Sequence, residues 1–322
     1  MIKWGILGLG NMGSRFAEAI KEVDNAQLNG LASSNQNRLN KFSEKYKITK
    51  EKCFNNYDEL INSDLVDAIY ISTLNNTHSD LITKCSKAKK HILCEKPAGL
   101  NLEEIKNVDK HIKKNNIIFF EAIAYYSHPQ KEQIKNLLKK NEIGKIIKIE
   151  SSFGFKARLN PSSRLFNKKL GGGAILDVGC YPISFLMLFS NNESDFIFKN
   201  KKILLSKTDV DNFAEANLII SKDIEANIKV SLSENLSNDC LITGSTGKIK
   251  ISSPWIPSTK SYLEILSKKH FYKQFIKSEK TIYAHQIEKV SKAIEKKLPQ
   301  NENLFDIKKS LICSSLLDKW RN

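Results

Sequence analysis

The sequence predicts an α/β chain of two domains, a doubly wound parallel sheet followed by an α/β domain built on an open, mostly antiparallel sheet. Three observations predict it. A glycine turn, Gly8-Leu9-Gly10-Asn11-Met12-Gly13, follows an apolar run at the start of the chain. Short apolar runs and amphipathic stretches then alternate to about residue 120, the βαβα rhythm of a parallel sheet. From about Lys201 the pattern changes to stretches that alternate polar and apolar residues, as in an antiparallel sheet with one exposed or partner-covered face.

The run Ile2 to Leu9 is long enough for one buried strand, and Phe16, Ala17, Ala19 and Ile20 follow at helical spacing. The glycines therefore stand between a strand and a helix, the context in which G-x-G-x-x-G binds a dinucleotide rather than marking a plain turn. Gly8 permits the tight turn, Gly10 lets the backbone approach a pyrophosphate, and Gly13 lets the helix pack close to the strand. Asn11 and Met12 open that helix, whose free N–H groups and positive dipole end suit phosphates.

Ala26 to Ala32 reads as the second strand. A site for NAD usually carries Asp or Glu about 20 residues beyond the glycines, on the ribose 2′-hydroxyl. Here Ser33, Ser34 and Asn35 stand there, with Arg38 close behind. Small hydroxyls plus an arginine suit a 2′-phosphate, so NADP is preferred over NAD; the alternative is a polar turn that only caps the helix Asn37 to Tyr46. A short helix, Tyr57 to Ile61, precedes the apolar strand Val66 to Ser72. That strand ends in Thr73-Leu74-Asn75-Asn76-Thr77-His78, where helix Ser79 to Ala88 begins. Ligands of doubly wound sheets bind outside the carboxyl ends of strands, which puts Thr73, Asn75 and His78 beside the cofactor, although a histidine at a helix start is also an ordinary backbone partner. Strand His91 to Cys94 runs into Glu95-Lys96-Pro97, a charged pair at a strand end with Lys96 restricted by the following proline. Helix Leu102 to Asn115 and strand Ile117 to Ala122 complete the first half.

The totals bound the function. The chain has 322 residues, enough for two cores. No apolar run has the length of a membrane span and no leader precedes the first strand, so a cytoplasmic protein is expected. Six scattered cysteines without a C-x-x-C pair argue against a disulfide framework and against a metal site. The formal net charge of +16 invites a nucleic-acid reading. However, the excess is almost all lysine, spread evenly, and the basic runs at Lys87 to Lys90, Lys199 to Lys202 and Lys268-Lys269 are short and separated, so no nucleic-acid or membrane partner is expected.

Gly8 to Gly13 at the N-terminus, the Thr73 to His78 turn and Glu95-Lys96-Pro97 together resemble the Gfo/Idh/MocA oxidoreductases. The resemblance implies an N-terminal Rossmann domain, residues 1–121, which binds NADP or NAD. It also implies a C-terminal α/β domain, residues 122–322, with an open sheet covered by helices on one face; this domain would bind substrate and form a homodimer or homotetramer through its sheet. Phe120 to Gln130 matches the family's crossing into that domain, followed by helix Gln130 to Lys140 and strand Ile146 to Phe155. Strands are expected at Lys202 to Leu205, Asn212 to Ile220, Glu225 to Leu232, Cys240 to Gly244 and Lys248 to Ser252, with a hairpin turn at Gly244-Ser245-Thr246-Gly247. Ile282 to Lys296 and Phe305 to Trp320 read as the last two helices.

Between strand Ile146 to Phe155 and strand Lys202 to Leu205 lies Arg164 to Pro182, in which Gly171-Gly172-Gly173 open a helix and Asp177 and Tyr181 stand four apart, on one helix face. The spacing alone fits equally a buried helix with a capping Asp and a packed Tyr. The Tyr-Pro pair is similar to the subgroup with dihydrodiol dehydrogenase, glucose–fructose oxidoreductase and some xylose dehydrogenases. That resemblance implies hydride exchange between the nicotinamide and a sugar-like secondary alcohol. Tyr181 would be the acid/base, and Lys96, also near the nicotinamide ribose, would lower its pKa from the usual value of about 10. Asp177 would hydrogen-bond the substrate hydroxyl or orient the Lys96–Tyr181 pair, Arg164 would either contact substrate or lie on the surface, and Glu95 would anchor the Lys96 turn. The competing classes are a dinucleotide-sensing regulator without turnover, and an NAD-dependent lyase or glycosidase with no net redox change.

Overall fold

The computed structural model describes residues 1–190, 192–268 and 270–322; Lys269, half of one basic pair noted above, lies outside them. The chain forms two units, Met1–Gly99 with Glu103–Ser127 and Lys280–Ser310, and Leu100–Leu102 with His128–Glu279 and Leu311–Asn322.

In the first unit the apolar runs become β1 (Ile2–Leu7), β2 (Ala26–Ala32), β3 (Cys53–Phe54), β4 (Ala68–Ile71), β5 (His91–Cys94) and β6 (Phe119–Glu121). They lie in the order β6-β5-β4-β1-β2-β3, and every adjacent pair is parallel. The short β3 had no clear signal in the sequence. Chain order reverses between β1 and β4, so the carboxyl ends of those two strands form the topological switch point. The connecting helices are α1 (Asn11–Ala19), α2 (Gln36–Tyr46), α3 (Tyr57–Asn62), α4 (His78–Lys87) and α5 (Leu102–Asn115). Their starts are chemically marked: Asn35 accepts from Arg38 N to cap α2, and Asn56 accepts from Glu59 N to cap α3.

Aromatic packing fixes α1 against the sheet. Trp4 of β1 is fully buried, with its ring 5.4 Å from Phe16 of α1, and Phe16 stacks at 4.2 Å on Tyr70 of β4. Cutting Phe16 back to alanine would cost about 3–5 kcal/mol, because the neighbours only partly close such a cavity. The glycine turn therefore sits on a stiff support.

The second unit carries β7 (Ile146–Gly154), β8 (Phe196–Leu205), β9 (Asp211–Ile220), β10 (Ile224–Ser231), β11 (Cys240–Gly244), β12 (Gly247–Ile251), β13 (Tyr262–Ser267) and β14 (His270–Phe275). The order is β14-β13-β12-β11-β7-β10-β9-β8; β7 and β10 are parallel and all other neighbours antiparallel. The hairpin at residues 244–247 joins β11 to β12 as expected, whereas β13 and β14 were not anticipated. Burial follows the pleat: Ala214, Ala216, Leu218 and Ile220 of β9 are buried while Glu215, Asn217 and Ile219 are partly or fully exposed. Helix α6 (Pro129–Lys139) starts this unit, with His128 Nδ1 accepting from Gln130 N as its cap. Two short helices, α7 (Ala174–Val178) and α8 (Cys180–Leu186), stand where one was expected, interrupted at Gly179.

The chain then returns. Helix α9 (Ile282–Glu295) belongs to the first unit, where Ala284, Ile287, Val290 and Ala293 share a core with Trp4 and Phe16, and Trp4 Nε1 donates to Ser291 Oγ at 3.0 Å. A division at 121/122 has no place for this return, because the apolar face of α9 has its partners on β1 and α1. Next, β15 (Phe305–Asp306) pairs antiparallel with β6 and becomes the seventh strand of the first sheet. The final helix, α10 (Ile307–Arg321), starts after it, two residues later than the apolar pattern suggested, and ends in the second unit. Among the described residues, no helix is long and apolar enough to cross a membrane.

Candidate functional site

The three glycines of the first turn answer to different constraints. Gly8 has φ of +90°, and a Cβ there would lie 2.7 Å from Ser72 O, so both conformation and space demand glycine. At Gly13 a Cβ would lie 2.6 Å from Gly8 O, which is the close helix–turn approach. Gly10 is different. Its φ of −100° suits any residue, and a Cβ built on it meets nothing within 4 Å. No protein neighbour forbids a side chain there; the methyl would stand in open space in front of the first turn of α1. That turn also lacks a side-chain cap and an acidic residue, which leaves the positive end of the helix uncompensated. A dinucleotide pyrophosphate fits this cradle, with Gly10, exposed Asn11 and half-buried Met12 at its edge.

At the end of β2, Ser33 is buried, and its hydroxyl accepts from Asn35 N at 3.1 Å. Ser34 and Arg38 are exposed. Asn35 caps α2, as the polar-turn reading expects, while Ser34 and Arg38 keep exposed side chains. Ser33 holds the turn instead of offering its hydroxyl outward.

The turn after β4 is tied to the turn after β5. Thr73 Oγ1 and Thr77 Oγ1 are hydrogen-bonded at 2.6 Å, and Asn75 is buried in the intervening turn. His78, expected beside the cofactor, is fully buried: Nδ1 lies 2.8 Å from Pro97 O and Nε2 3.3 Å from Thr73 O. It therefore clamps the two loops together and has no surface left for a cofactor, because α4 begins at His78 itself and turns the ring inward. Glu95 is also buried, and accepts from Tyr70 Oη at 2.5 Å. Burial and this carboxylate push the Tyr70 phenol well above its ordinary range. The Lys96–Pro97 bond is cis.

Glu121, which the sequence reading passed over, completes this turn. It lies on β6 opposite Cys94; its Oε1 accepts from Ala98 N at 3.0 Å and its Oε2 from Ser310 Oγ at 2.6 Å. Burial raises its pKa, against the hydrogen bonds from Ser310 and Ala98 and the charge of Lys96. A Glu at the end of an otherwise apolar strand was the available signal.

In the second unit, Asp177 is almost fully buried and receives Arg164 Nη1 on Oδ1 at 2.7 Å, while the Arg164 side chain stays 45% exposed. Arg164 thus neutralises Asp177 on one side and presents the rest of its guanidinium to solvent. The Tyr181 ring packs edge-on to Phe153 of β7 at 5.0 Å and lies 6.1 Å from Trp255, whose Nε1 donates to Ser152 O at 2.9 Å. Cys180, beside Tyr181, is buried, as a core-filling residue would be.

A glycine cradle at the switch point of a doubly wound sheet, joined to a second unit with an eight-stranded sheet, defines a dinucleotide-binding Rossmann protein with an appended α/β unit. Residues 2–123 match the family model described as oxidoreductase family, NAD-binding Rossmann fold, and residues 132–250 match the GFO/IDH/MocA C-terminal domain. The chain belongs to the GFO/IDH/MocA oxidoreductase family and is an NAD(P)-dependent enzyme acting on CH–OH groups. It is 30% identical over 261 residues to trans-1,2-dihydrobenzene-1,2-diol dehydrogenase of Xenopus tropicalis, covering 80% of this chain and 77% of the relative. In structure it resembles the 3-ketoreductase KijD10 of Actinomadura kijaniata in complex with NADP and TDP-benzene, with a TM-score of 0.91, 23% identity and 99% and 97% of the two chains covered. It also resembles the aldose–aldose oxidoreductase of Caulobacter crescentus, with a TM-score of 0.90, 19% identity and 99% and 96% covered.

Proposed function

We propose that the chain exchanges a hydride reversibly between NADP(H) and a sugar-like secondary alcohol or its carbonyl, with Tyr181 as acid/base assisted by Lys96. The bound nicotinamide supplies or receives the hydride. The protein's part is to position both partners and to move one proton. In the oxidative direction Tyr181 Oη takes the proton of the substrate hydroxyl; in the reductive direction it returns it to the carbonyl oxygen. Lys96 favours the tyrosinate by its charge. Asp177 orients the substrate hydroxyl, and Arg164 steadies Asp177 and offers its exposed N–H groups to substrate oxygens. Gly10, Asn11, Met12 and Gly13 hold the pyrophosphate, while Ser34 and Arg38 select the 2′-phosphate. Thr73 and Asn75 border the nicotinamide side.

The observation that carries this reading is a buried carboxylate, paired with arginine, one helical turn ahead of a tyrosine whose ring is fixed by Phe153 and Trp255. The substrate class is supported by the dihydrodiol and aldose enzymes among the relatives. Tyr181→Phe tests it. With D-xylose, D-glucose, myo-inositol and a trans-dihydrodiol as a panel, kcat on whichever substrate the native chain turns over should fall about a hundredfold or more, with NADPH affinity unchanged. Near-native turnover by the variant would remove Tyr181 from the chemistry.

The same reading includes self-association through the eight-stranded sheet, on which Ile197, Leu204 and Leu205 of β8 leave apolar side chains exposed. Light scattering should then give a multiple of the 36.6 kDa chain mass.

A further inference from the structure

We propose that Asp211 is the positioning residue that sets the helical segment carrying Asp177 and Tyr181; this rests on the reading above that those two side chains meet the substrate. Helix α7 has no cap from its own residues, since Gly173 stands at its N-cap. The acceptor comes instead from the first residue of β9. Asp211 Oδ2 receives Ile175 N at 2.6 Å, across 36 residues of sequence. The last glycine of the triplet is explained by this contact. Gly173 has φ of +120°, and a Cβ there would collide with Asp211 Oδ1. The glycine gives the carboxylate room to reach the amide.

Backbone hydrogen bonds carry the position onward. Ile175, held by its N–H, offers its carbonyl to Gly179 N at 2.9 Å, and Gly179 in turn accepts from Ile183 N at 3.2 Å. Asp177 N is bound to Gly173 O at 3.0 Å in the same turn. A shift of the first turn therefore moves both Asp177 and the start of α8, where Tyr181 lies. Misplacement of reacting groups by about 1 Å costs on the order of a hundredfold in rate.

The contact is kept at a cost. Burial raises the pKa of Asp211 to about 6, against hydrogen bonds from Ile175 and Ala174 and the charge of Arg321. Arg321 of α10 is itself paired with Asp318 at 2.6 Å. The one charged residue of α7 is Asp177, which Arg164 engages, and Leu205 of β8 lies opposite Asp211. An asparagine would accept the same amide without a charge to bury, so Asp211→Asn separates the hydrogen bond from the buried charge.

The test uses the full chain with NADP and the best substrate of the panel above. Asp211→Ala should lower kcat ten- to a hundredfold with KM for NADP within about twofold, and amide exchange over residues 177–183 should quicken while the sheet stays protected. Asp211→Asn, which keeps an acceptor for Ile175 N, should recover most of kcat. Native kcat in Asp211→Ala would overturn the proposal. So would a loss shared equally by kcat, NADP binding and thermal stability that Asp211→Asn fails to rescue. Tyr181→Phe separates the two levels: if it stays active, the catalytic reading fails; if it is inactive while Asp211→Ala is native, only the positioning role fails.

Discussion

Replacing Gly10 by alanine should weaken cofactor binding about a hundredfold while leaving the fold intact, and replacing Gly8 should destabilise the fold. At Gly10 the backbone angle suits alanine and the added methyl meets no protein atom, so stability should change by less than about 0.5 kcal/mol. The methyl instead occupies the space a phosphate needs to reach the N–H groups of α1. Losing two charge-assisted hydrogen bonds at about 1.5 kcal/mol each removes roughly 3 kcal/mol, about a hundredfold in Kd. At Gly8 the positive φ costs an alanine about 1–2 kcal/mol, and overpacking against the Ser72 carbonyl adds about 1–3 kcal/mol, so Gly8→Ala should be destabilised by roughly 3 kcal/mol. Calorimetric titration with NADPH and thermal melts of both variants, with and without ligand, read the two quantities separately. The melting point of Gly10→Ala should match the native apo protein and rise much less with NADPH. Native NADPH affinity in Gly10→Ala would refute the assignment of the open space to the pyrophosphate, and an unstable Gly10→Ala would refute the claim that the fold leaves that space unused.

Ser34→Asp places a carboxylate where the exposed Ser34 now stands, so the NADP/NAD ratio of kcat/KM should drop at least tenfold through repulsion of the 2′-phosphate; an unchanged ratio would show that the end of β2 does not read that group. The raised pKa of Asp211 also has a stability signature. An acid whose folded pKa exceeds its unfolded value binds an extra proton in the folded state, so its contribution falls as pH rises from about 4 to about 6. Asp211→Asn should remove that decline, leaving the variant more stable than the native chain at pH 8 by an amount of order 3 kcal/mol; urea melts at pH 4.5 and pH 8 that show parallel differences would contradict the shift.

Much of the first unit was legible in the sequence because its signals are local. A strand buried on both faces is a short apolar run, and Asn35 and Asn56 mark helix starts by side chains that reach only three residues onward. The second sheet was less legible. The strands Tyr262–Ser267 and His270–Phe275 lie toward one edge, where β14 is almost wholly exposed and shows little apolar alternation. The return of α9 to the first unit was hidden for another reason, since an amphipathic face states that a helix is buried and not against what.

At the site, the sequence by itself determined which chemical groups are available: a glycine turn after a strand, a Glu-Lys-Pro turn at a strand end, no carboxylate after the second strand, and an Asp one helical turn before a Tyr. Those are properties of spacing along the chain. Only the tertiary structure decided how the groups are used. It buried His78 between two loops, aimed Glu95 at Tyr70, paired Arg164 with Asp177, and brought Glu121 and Asp211 to backbone amides of segments distant in sequence. The reason is physical. A hydrogen bond or ion pair is decided by distances of about 3 Å between atoms whose separation along the chain is unconstrained, whereas periodicity reports only which side of each element faces the core.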